Sequence, residues 1–387
     1  MNKFVKFSFI AMALMGLVSC QQKEEVKEEP KAMNVIYMIG DGMSLPQVFG
    51  SMIATGQDLV FSQFPYIGIV DTRSASNVIT DSSASGTALA CGTKTRNGMV
   101  GMDADSIAVE SLIDVMAQQG KSTGFVVTCG VTHATPAVFY ANEAKRSNYE
   151  AIALQMAEAE NLNVAIGGGM KHFTQRKDSL DLVDRMVNEL GWKVYDTLAD
   201  IDTTCQKYAV LAAEDHMFMI SERGDFLARG VETALATLND NSNGFFLMVE
   251  GSQIDFAAHA NDSSFLVDEV MDFNNAIKVA LDYAKTHENT LLVVTADHET
   301  GGMTLIDPKG HYADPAFRFS TYSHTCLPVM VYAYGTGAEQ FTGWMQNSDL
   351  KAKIMKACGI TVEQKEENMD SIPQIAPIKA NFDTKPE

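Results

Sequence analysis

Apolar runs rich in β-branched residues alternate with helical patterns along most of this 387-residue chain. The apolar runs lie at 34–39, 124–128, 164–167, 217–220, 245–249, 291–295 and 329–334. Helical spacing of apolar residues marks 109–119, 149–160, 179–190, 228–239 and 265–285. Strand and helix in repetition predict an α/β fold, and strands that are apolar throughout fit a sheet covered on both faces. We therefore expect a three-layer sandwich whose central, mostly parallel sheet is flanked by helices.

The length of the chain is compatible with one large domain carrying insertions or with two modest domains. No strong linker divides the chain beyond residue 33, so one domain over 33–387 is the prediction. Residues 301–325 are polar, contain two prolines and lack periodicity. This composition predicts a polar insertion loop within that domain.

Residues 1–19 have the layout of a signal peptide, with lysines followed by a short apolar run. The run ends in Leu17-Val18-Ser19-Cys20, which resembles a bacterial lipobox and implies cleavage before Cys20 and acylation of that residue. An ordinary signal peptide with a chance cysteine is the alternative. Residues 20–32 are charged and nearly free of apolar side chains, which predicts a flexible tether. We therefore expect the processed protein to be exported and lipid-anchored to the bacterial outer membrane or the periplasmic face.

The formal net charge of −20 argues against nucleic acid as a partner, because a phosphate backbone attracts Lys and Arg. The same charge would repel small anions unless one site concentrates positive charge. Five cysteines follow Cys20, and no CxxC spacing occurs among them. An odd number leaves disulfide pairing open.

Polar residues cluster where the apolar runs end. Asp41 follows the first run, Glu250 follows 245–249, and Asp297 with His298 follows 291–295. In an open α/β sheet, ligands bind beyond the carboxyl ends of the strands. Carboxylates and imidazoles gathered there from separate elements are the ligands that a metal ion needs. A lone Asp at such a position is more often a helix cap, so the number of coincidences carries this prediction.

A second pattern strengthens the metal hypothesis. Asp255 and His259 are four residues apart, so in a helix they would share one face. Further polar residues stand near other strand ends, at His133, Thr135 and His324.

Asp81 and Ser82 lie where an apolar pair gives way to small residues that suit a helix, in VITDSSASGTALAC at 78–91. Ser82 is either a helix cap or a nucleophile held at the helix N-terminus. The stretch by itself does not decide between these two interpretations.

The ordered set of motifs resembles the alkaline phosphatase family over about Asn34 to Gly335. The motifs are Gly40-Asp41-Gly42-Met43, Thr80-Asp81-Ser82, His133-Ala134-Thr135-Pro136, Arg146, Glu250-Gly251-Ser252-Gln253-Ile254-Asp255, His259, Asp297-His298 and His324-Thr325. Each motif alone is weak, whereas their common order is specific to the family.

The resemblance implies a role for each matching residue. Ser82 would be the nucleophile, Arg146 would clamp two phosphate oxygens, and Asp81 would orient Arg146. Two zinc ions and one magnesium ion are implied. Their ligands would be Asp255, His259 and His324 for one zinc, then Asp41, Asp297, His298 and Ser82 for the other, and Asp41, Thr135 and Glu250 for magnesium.

The resemblance also implies a metal-dependent phosphomonoester hydrolase. Ser82 would attack phosphorus to form a phosphoserine, which a zinc-bound hydroxide would hydrolyse to release inorganic phosphate. The helix beginning near Ser82 would point its N-terminal amides at the phosphate, so Ser82 could serve in both capacities. Family members are commonly dimers, which leaves a homodimer and a monomer as the two expectations.

Two positions depart from the enterobacterial members of the family, which have Asp at the position of His133 and Lys at the position of Phe256. His133 is expected beside the third metal site, whose occupant could then be Mg²⁺ or Zn²⁺. Phe256 removes a cation near the bound phosphate. We hypothesise weaker product binding, faster phosphate release and weaker inhibition by phosphate.

Two rival functions remain from the sequence alone. One is a phosphodiesterase of the same superfamily, although such enzymes usually lack the Arg146 clamp together with Glu250. The other is a lipid-anchored protein that binds phosphate without turnover, which would not need a nucleophile. A sulfatase is set aside, because Ser82 is followed by Ser83-Ala84-Ser85-Gly86 and not by x-Pro-x-Arg. His172, His216, His287 and His311 receive no role.

Overall fold

The computed structural model describes residues 31, 33–202, 204–307 and 316–361. Several predicted features lie outside the described residues. These are the signal peptide, the tether 20–32 with Cys20 (except for residue 31), and His311 in the insertion. Within the described part of the chain, no helix is both long and apolar enough to cross a bilayer.

A ten-stranded sheet forms the centre of the fold, and two small two-stranded sheets accompany it. The strands in chain order are β1 Asn34–Gly40, β2 Tyr66–Asp71, β3 Ser122–Gly130, β4 Val164–Gly168, β5 Lys193–Tyr195, β6 Tyr208–Leu211, β7 Phe245–Gly251, β8 Thr290–Thr295, β9 Glu299–Thr300, β10 Thr304–Ile306, β11 Ala316–Arg318, β12 His324–Thr325, β13 Val329–Gly335 and β14 Gly343–Gln346. The order across the large sheet is β14-β2-β13-β8-β1-β7-β3-β4-β6-β5. Its pairs are parallel except those that β13 makes with β2 and β8.

Helices flank this sheet, which confirms the α/β class and the mostly parallel centre. They are α1 Leu45–Thr55, α2 Ser82–Cys91, α3 Leu112–Gln118, α4 Ala134–Ala137, α5 Tyr149–Glu158, α6 Lys171–Thr174, α7 Leu182–Asn188, α8 Ile220–Arg223, α9 Phe226–Leu238, α10 Gln253–His259, α11 Ser263–Thr286 and α12 Asp349–Ala357. The longest is α11, whose apolar positions repeat at helical spacing and are buried.

Strand β1 lies at the middle of the sheet between β7 and β8, and it is parallel to both. Its apolar residues are fully buried, as expected of a strand covered on both faces. The register sets Ile39 beside Glu250 on one side and beside Thr295 on the other. The carboxyl ends of β1, β7 and β8 therefore lie at the same edge of the sheet, which brings together the polar residues near those ends.

The sequence pattern missed several strands, at 66–71, 193–195, 208–211 and 343–346. They are short or, like β2, contain a glycine within the run. Their strand conformation depends on pairing with neighbours that lie far away in sequence. The predicted polar insertion contains short paired strands at its described ends, with β10 antiparallel to β11 and β12 antiparallel to β9.

The strand predicted at 217–220 is wrong. This segment is irregular and leads into α8 at Ile220. Gln253 Nε2 donates to the Met217 and Phe218 carbonyls at 2.7 and 3.2 Å, and Ile220 N–H donates to Glu269 Oε1 at 3.1 Å. These tertiary hydrogen bonds replace a strand ladder, so the four apolar residues were a misleading signal.

A buried ion-pair cluster holds α8 against α11. Arg223 donates to Glu269 at 2.5 and 2.9 Å and to Asp272 at 2.6 Å. The three side chains are at most 2% exposed. Removing the guanidinium would leave two carboxylates buried without their cation.

We expect Arg223→Ala to lower the free energy of unfolding by about 3–5 kcal/mol, because uncompensated buried charge is strongly destabilising. Urea unfolding measures the difference. Arg229→Ala is the matched control, since Arg229 is 52% exposed and lies 3.8 Å from Asp225. Arg229→Ala should lower the free energy of unfolding by less than about 1 kcal/mol. Equal decreases in the two variants would contradict the prediction.

Candidate metal centre

Among the described residues, three clusters of side chains could each hold a metal ion, and the first combines one carboxylate with two imidazoles. Asp255 and His259 lie on α10, four residues apart, and His324 comes from β12. His259 Nε2 is 3.3 Å from Asp255 Oδ2, and His324 Nε2 is 3.8 Å from Asp255 Oδ1. The two Nε2 atoms lie 3.2 Å apart.

The hydrogen bonds on the other side of each ring define the tautomer. His259 Nδ1 lies 2.6 Å from the Tyr322 carbonyl, and His324 Nδ1 lies 2.8 Å from the Thr80 carbonyl. A carbonyl only accepts, so each Nδ1 carries a hydrogen, and Nε2 is the ring atom left to coordinate an ion. Two lone pairs and a carboxylate facing one another are a suitable arrangement for a cation.

The second cluster is fully buried and consists of Asp41, Asp297 and His298. His298 Nε2 lies 3.5 Å from Asp41 Oδ1 and 3.2 Å from Asp297 Oδ2. Both oxygens of Asp41 and Oδ2 of Asp297 accept no hydrogen bond from any described residue. Buried oxygens without donors are costly, and a metal ion would satisfy them.

Burial, reinforced by the carboxylates of Asp297 and Asp255, raises the pKa of Asp41 well above its usual range. Burial also raises the pKa of Asp297 and lowers the pKa of His298 well below its usual range. The main cause of each shift is burial, which disfavours the charged form of the group. A bound cation would favour ionised carboxylates and a neutral imidazole, which is the protonation state of metal ligands.

Thr300 links the two clusters. Its hydroxyl donates to Asp255 Oδ1 at 2.5 Å and lies 3.2 Å from His298 Nδ1. Because the hydroxyl hydrogen is directed at Asp255, its oxygen is free to accept from His298 Nδ1, which leaves Nε2 as the donor atom for an ion. Nothing in the sequence singled out Thr300, although it lies only two residues beyond His298.

Ser82 lies at the N-terminus of α2, with its Oγ 3.2 Å from His298 Nε2. Asp81 is the N-cap residue, and its carboxylate accepts from Ala84 N–H at 2.9 Å. The helix is therefore capped by Asp81, which leaves the Ser82 hydroxyl directed at the second cluster. Ser82 is therefore not the cap of this helix, and its role as a nucleophile stays a prediction.

Arg146 lies beside the same helix end. Its Nη1 is 3.2 Å from Asp81 Oδ2, and its backbone N–H donates to the Gly98 carbonyl. Asp81 is itself held by Ser83 Oγ and by Gly98 N–H. Asp81 thus caps the helix and orients the guanidinium, which combines two tasks in one carboxylate.

The third cluster contains Cys129, His133 and Glu250. Glu250 Oε2 accepts from Cys129 Sγ at 3.3 Å and from Ser252 Oγ at 2.7 Å. Within the described residues, Glu250 Oε1, His133 Nδ1 and the neighbouring Thr135 Oγ1 are buried and have no hydrogen-bond partner. Cys129 was considered only for disulfide pairing in the sequence, and it is a free thiol whose pKa burial raises well above its usual range.

Aromatic rings border the third cluster. The His133 ring packs edge-on against Phe256, and both rings contact His216. His133 Nε2 also lies 3.4 Å from Arg146 Nη2. Burial, with the nearby Arg146 charge, lowers the pKa of His133 well below its usual range, so this imidazole is neutral. His216 was given no role in the sequence, where nothing indicated its proximity to His133.

Comparison with known proteins gives one consistent result. The family profile described as alkaline phosphatase matches residues 32–316. Alkaline phosphatase 4 of Bacillus subtilis is 36% identical over 304 residues, which cover 73% of this chain and 65% of that protein. Alkaline phosphatase 3 of the same species is 33% identical, with 78% and 68% covered. The chain thus spans about two thirds of the length of these relatives.

A solved structure agrees with these relatives. The alkaline phosphatase from the Antarctic bacterium TAB5 is similar over 86% of this chain and 100% of that chain, with a TM-score of 0.82 and 37% sequence identity. A variant of the TAB5 enzyme, with a histidine replaced by aspartate, was solved with magnesium bound in a site termed M3.

The acid–base state of Glu250 provides a test of the metal-free site. Burial raises the pKa of Glu250 to about 7 from an ordinary 4.5. Between these two pKa values, the Glu250 carboxyl is protonated in the folded state and ionised in the unfolded state. Its contribution to the free energy of unfolding therefore falls as pH rises. In chelator-treated protein, we expect Glu250→Gln to gain stability relative to wild type between about pH 4.5 and 7, and to retain the gain above pH 7.

Urea unfolding at several pH values measures this difference. Glu189→Gln, at a glutamate whose side chain is 67% exposed, should show no comparable pH dependence. A difference between Glu250→Gln and wild type that does not change with pH would contradict the prediction.

Proposed function

Because this chain belongs to the alkaline phosphatase family, we propose that it is a metal-dependent hydrolase of phosphomonoesters with Ser82 as its nucleophile. One observation carries the proposal above the others. The Ser82 hydroxyl stands at a capped helix N-terminus, 3.2 Å from the Nε2 atom of a buried cluster in which three carboxylate oxygens have no donor among the described residues. A protein that only bound phosphate would need no hydroxyl at that point.

The donor clusters fit two zinc ions and one further divalent ion. The proposed zinc ligands are Asp255, His259 and His324 in one site, and Asp41, Asp297, His298 and Ser82 in the other. The third site, next to Asp41, would use Thr135 and Glu250, with Mg²⁺ as the ion that the family implies. When bound, such ions lower the pKa of a coordinated hydroxyl or water and stabilise a leaving oxygen.

The residues of the chain would act in two displacements. Ser82 Oγ attacks phosphorus, the bond to the ester oxygen breaks, and the alcohol leaves as a phosphoserine forms. Water then attacks the phosphoserine from the vacated side, which releases inorganic phosphate and restores Ser82. Arg146, held by Asp81 at 3.2 Å, would contact two phosphate oxygens in a bidentate manner.

The electrostatics of the site support phosphate binding only with cations present. Asp41, Glu250, Asp255 and Asp297 concentrate negative charge within a chain whose formal net charge is already −20. Three divalent ions and Arg146 would outweigh these carboxylates. Screening limits the influence of the remaining surface to about 8 Å at physiological salt, so the local charge governs capture of the substrate.

We further propose that the chain is exported and anchored to a membrane through an acylated Cys20, with residues 20–32 as a tether. The lipobox-like sequence supports this. Metabolic labelling with a fatty-acid analogue in a bacterial host, with Cys20→Ala as control, would test it.

A homodimer is a second open proposal, which light scattering would resolve.

The activity test compares p-nitrophenyl phosphate with bis-p-nitrophenyl phosphate between pH 7 and 10, with and without EDTA. We expect fast turnover of the monoester that EDTA abolishes. Ser82→Ala should lower kcat by roughly 10³-fold or more, because it removes the attacking atom. Ser83→Ala is the matched control one residue along the helix, and it should lose no more than about 10-fold.

Preference for the diester would assign the protein to the phosphodiesterase branch. No turnover of either compound with zinc present, combined with retained phosphate binding, would favour the binding protein. Equal losses in Ser82→Ala and Ser83→Ala would refute Ser82 as the nucleophile.

Phe256 provides a second test of the phosphate site. Its ring lies against His133, and His133 is in turn next to Arg146. We expect Phe256→Lys to tighten competitive inhibition by phosphate roughly 2- to 5-fold, as one added partly exposed charge pair would. Phe256→Leu, which adds no charge, is the control. An unchanged inhibition constant for phosphate in Phe256→Lys would contradict the hypothesis that Phe256 weakens product binding.

A further inference from the structure

The position of Cys129 follows from the register of two neighbouring strands. β3 is parallel to β7, and Val127 pairs with Glu250. Cys129 is two residues beyond Val127, in the part of β3 where the register with β4 shifts between Val126 and Gly130. The thiol is fully buried, 3.3 Å from Glu250 Oε2.

Next to Cys129 lie potential metal-ligand atoms that have no hydrogen-bond partner among the described residues. One ligand atom from each of Cys129, His133 and Glu250 lies within 4.8 Å of the others. In the part of the chain that the structure describes, Glu250 Oε1 and His133 Nδ1 are buried without partners. Ligand atoms around one ion lie about 2.0–2.3 Å from it, so this separation is compatible with a shared ion after small side-chain movements.

The chemistry of these donors does not match Mg²⁺ well. Mg²⁺ prefers oxygen ligands in octahedral geometry and keeps several waters. Sulfur and imidazole nitrogen are the donors of zinc sites, and thiolates select softer ions. A site with one sulfur, one nitrogen and carboxylate oxygen is therefore expected to favour Zn²⁺.

We propose that the sulfur of Cys129 is a direct ligand in the third metal site, and that this site therefore binds Zn²⁺ in preference to Mg²⁺. The inference deepens the proposed function and rests on it, because it concerns the third ion of the same centre. Binding replaces the S–H hydrogen with an S–metal bond, and the proton leaves to solvent.

A purely structural role for Cys129 is the competing explanation. Buried cysteines often act as small apolar residues with a weak S–H donor, and here the thiol would only orient Glu250. In that case sulfur would never bond to the ion. A spectroscopic signature of sulfur ligation separates the two roles, whereas activity alone would not.

The experiment replaces all metal in the full chain with Co²⁺, added in steps, and records the ultraviolet and visible spectrum. We expect a sulfur-to-cobalt charge-transfer band, because the other two donor clusters contain only nitrogen and oxygen. Cys129→Ser should lose the band and retain the d–d bands of the other sites. Cys91→Ser is the matched control at another buried cysteine, and it should keep the charge-transfer band.

Competition between Zn²⁺ and Mg²⁺ gives a quantitative result. We expect the preference for Zn²⁺ at the third site to fall by roughly 10-fold or more in Cys129→Ser. If that variant does not fold, zinc X-ray absorption on the wild type reports sulfur near the metal directly. A wild type that binds three ions without any sulfur signal would overturn the inference, as would a charge-transfer band that persists in Cys129→Ser.

The outcomes also separate this inference from the proposed function. Three bound ions and rapid hydrolysis of the monoester without a sulfur signal would refute only the role of Cys129. A protein that binds no Co²⁺ or Zn²⁺ and hydrolyses nothing would refute both.

Discussion

The convergence of carboxylates at the carboxyl ends of β1, β7 and β8 is the constraint on which the rest of the site depends. The register brings Asp41, Glu250 and Asp297 to one edge of the sheet, where four of their oxygens are buried without a hydrogen-bond donor from any described residue. Desolvation and mutual repulsion make this arrangement unfavourable by itself. Divalent cations would offset both costs, so the fold brings these carboxylates together at a place where a cation would stabilise them.

The N-terminus of α2 complements that negative edge. Asp81 caps the helix and holds Arg146, so the Ser82 hydroxyl and the guanidinium lie at the same end of this helix. A phosphate would meet positive charge from the helix end, from Arg146 and from bound ions. Such a site explains how a chain with a strongly negative net charge could attract an anion, because the charges within a few ångströms dominate.

Long apolar strands and ordered motifs were predictable, because burial on both faces of the sheet requires continuous apolar runs. Short strands such as β5 and β6 were not, since their conformation depends on pairing partners that the sequence does not reveal. The segment at 217–220 shows the same limit, because Gln253 and Glu269 take up its backbone groups. The contacts of Thr300 and His216 were unpredictable for a similar reason, because they join segments that lie far apart in sequence.

The sequence by itself determined the α/β class, the parallel centre and the residue types that could ligate a metal. These features depend on local periodicity and on chemistry that each side chain carries with it. Only the tertiary structure decided which donors share a site, because this depends on strand register. Cys129 is the clearest case. In the sequence it is one of several unassigned cysteines, and the pairing of β3 with β7 makes it a neighbour of Glu250.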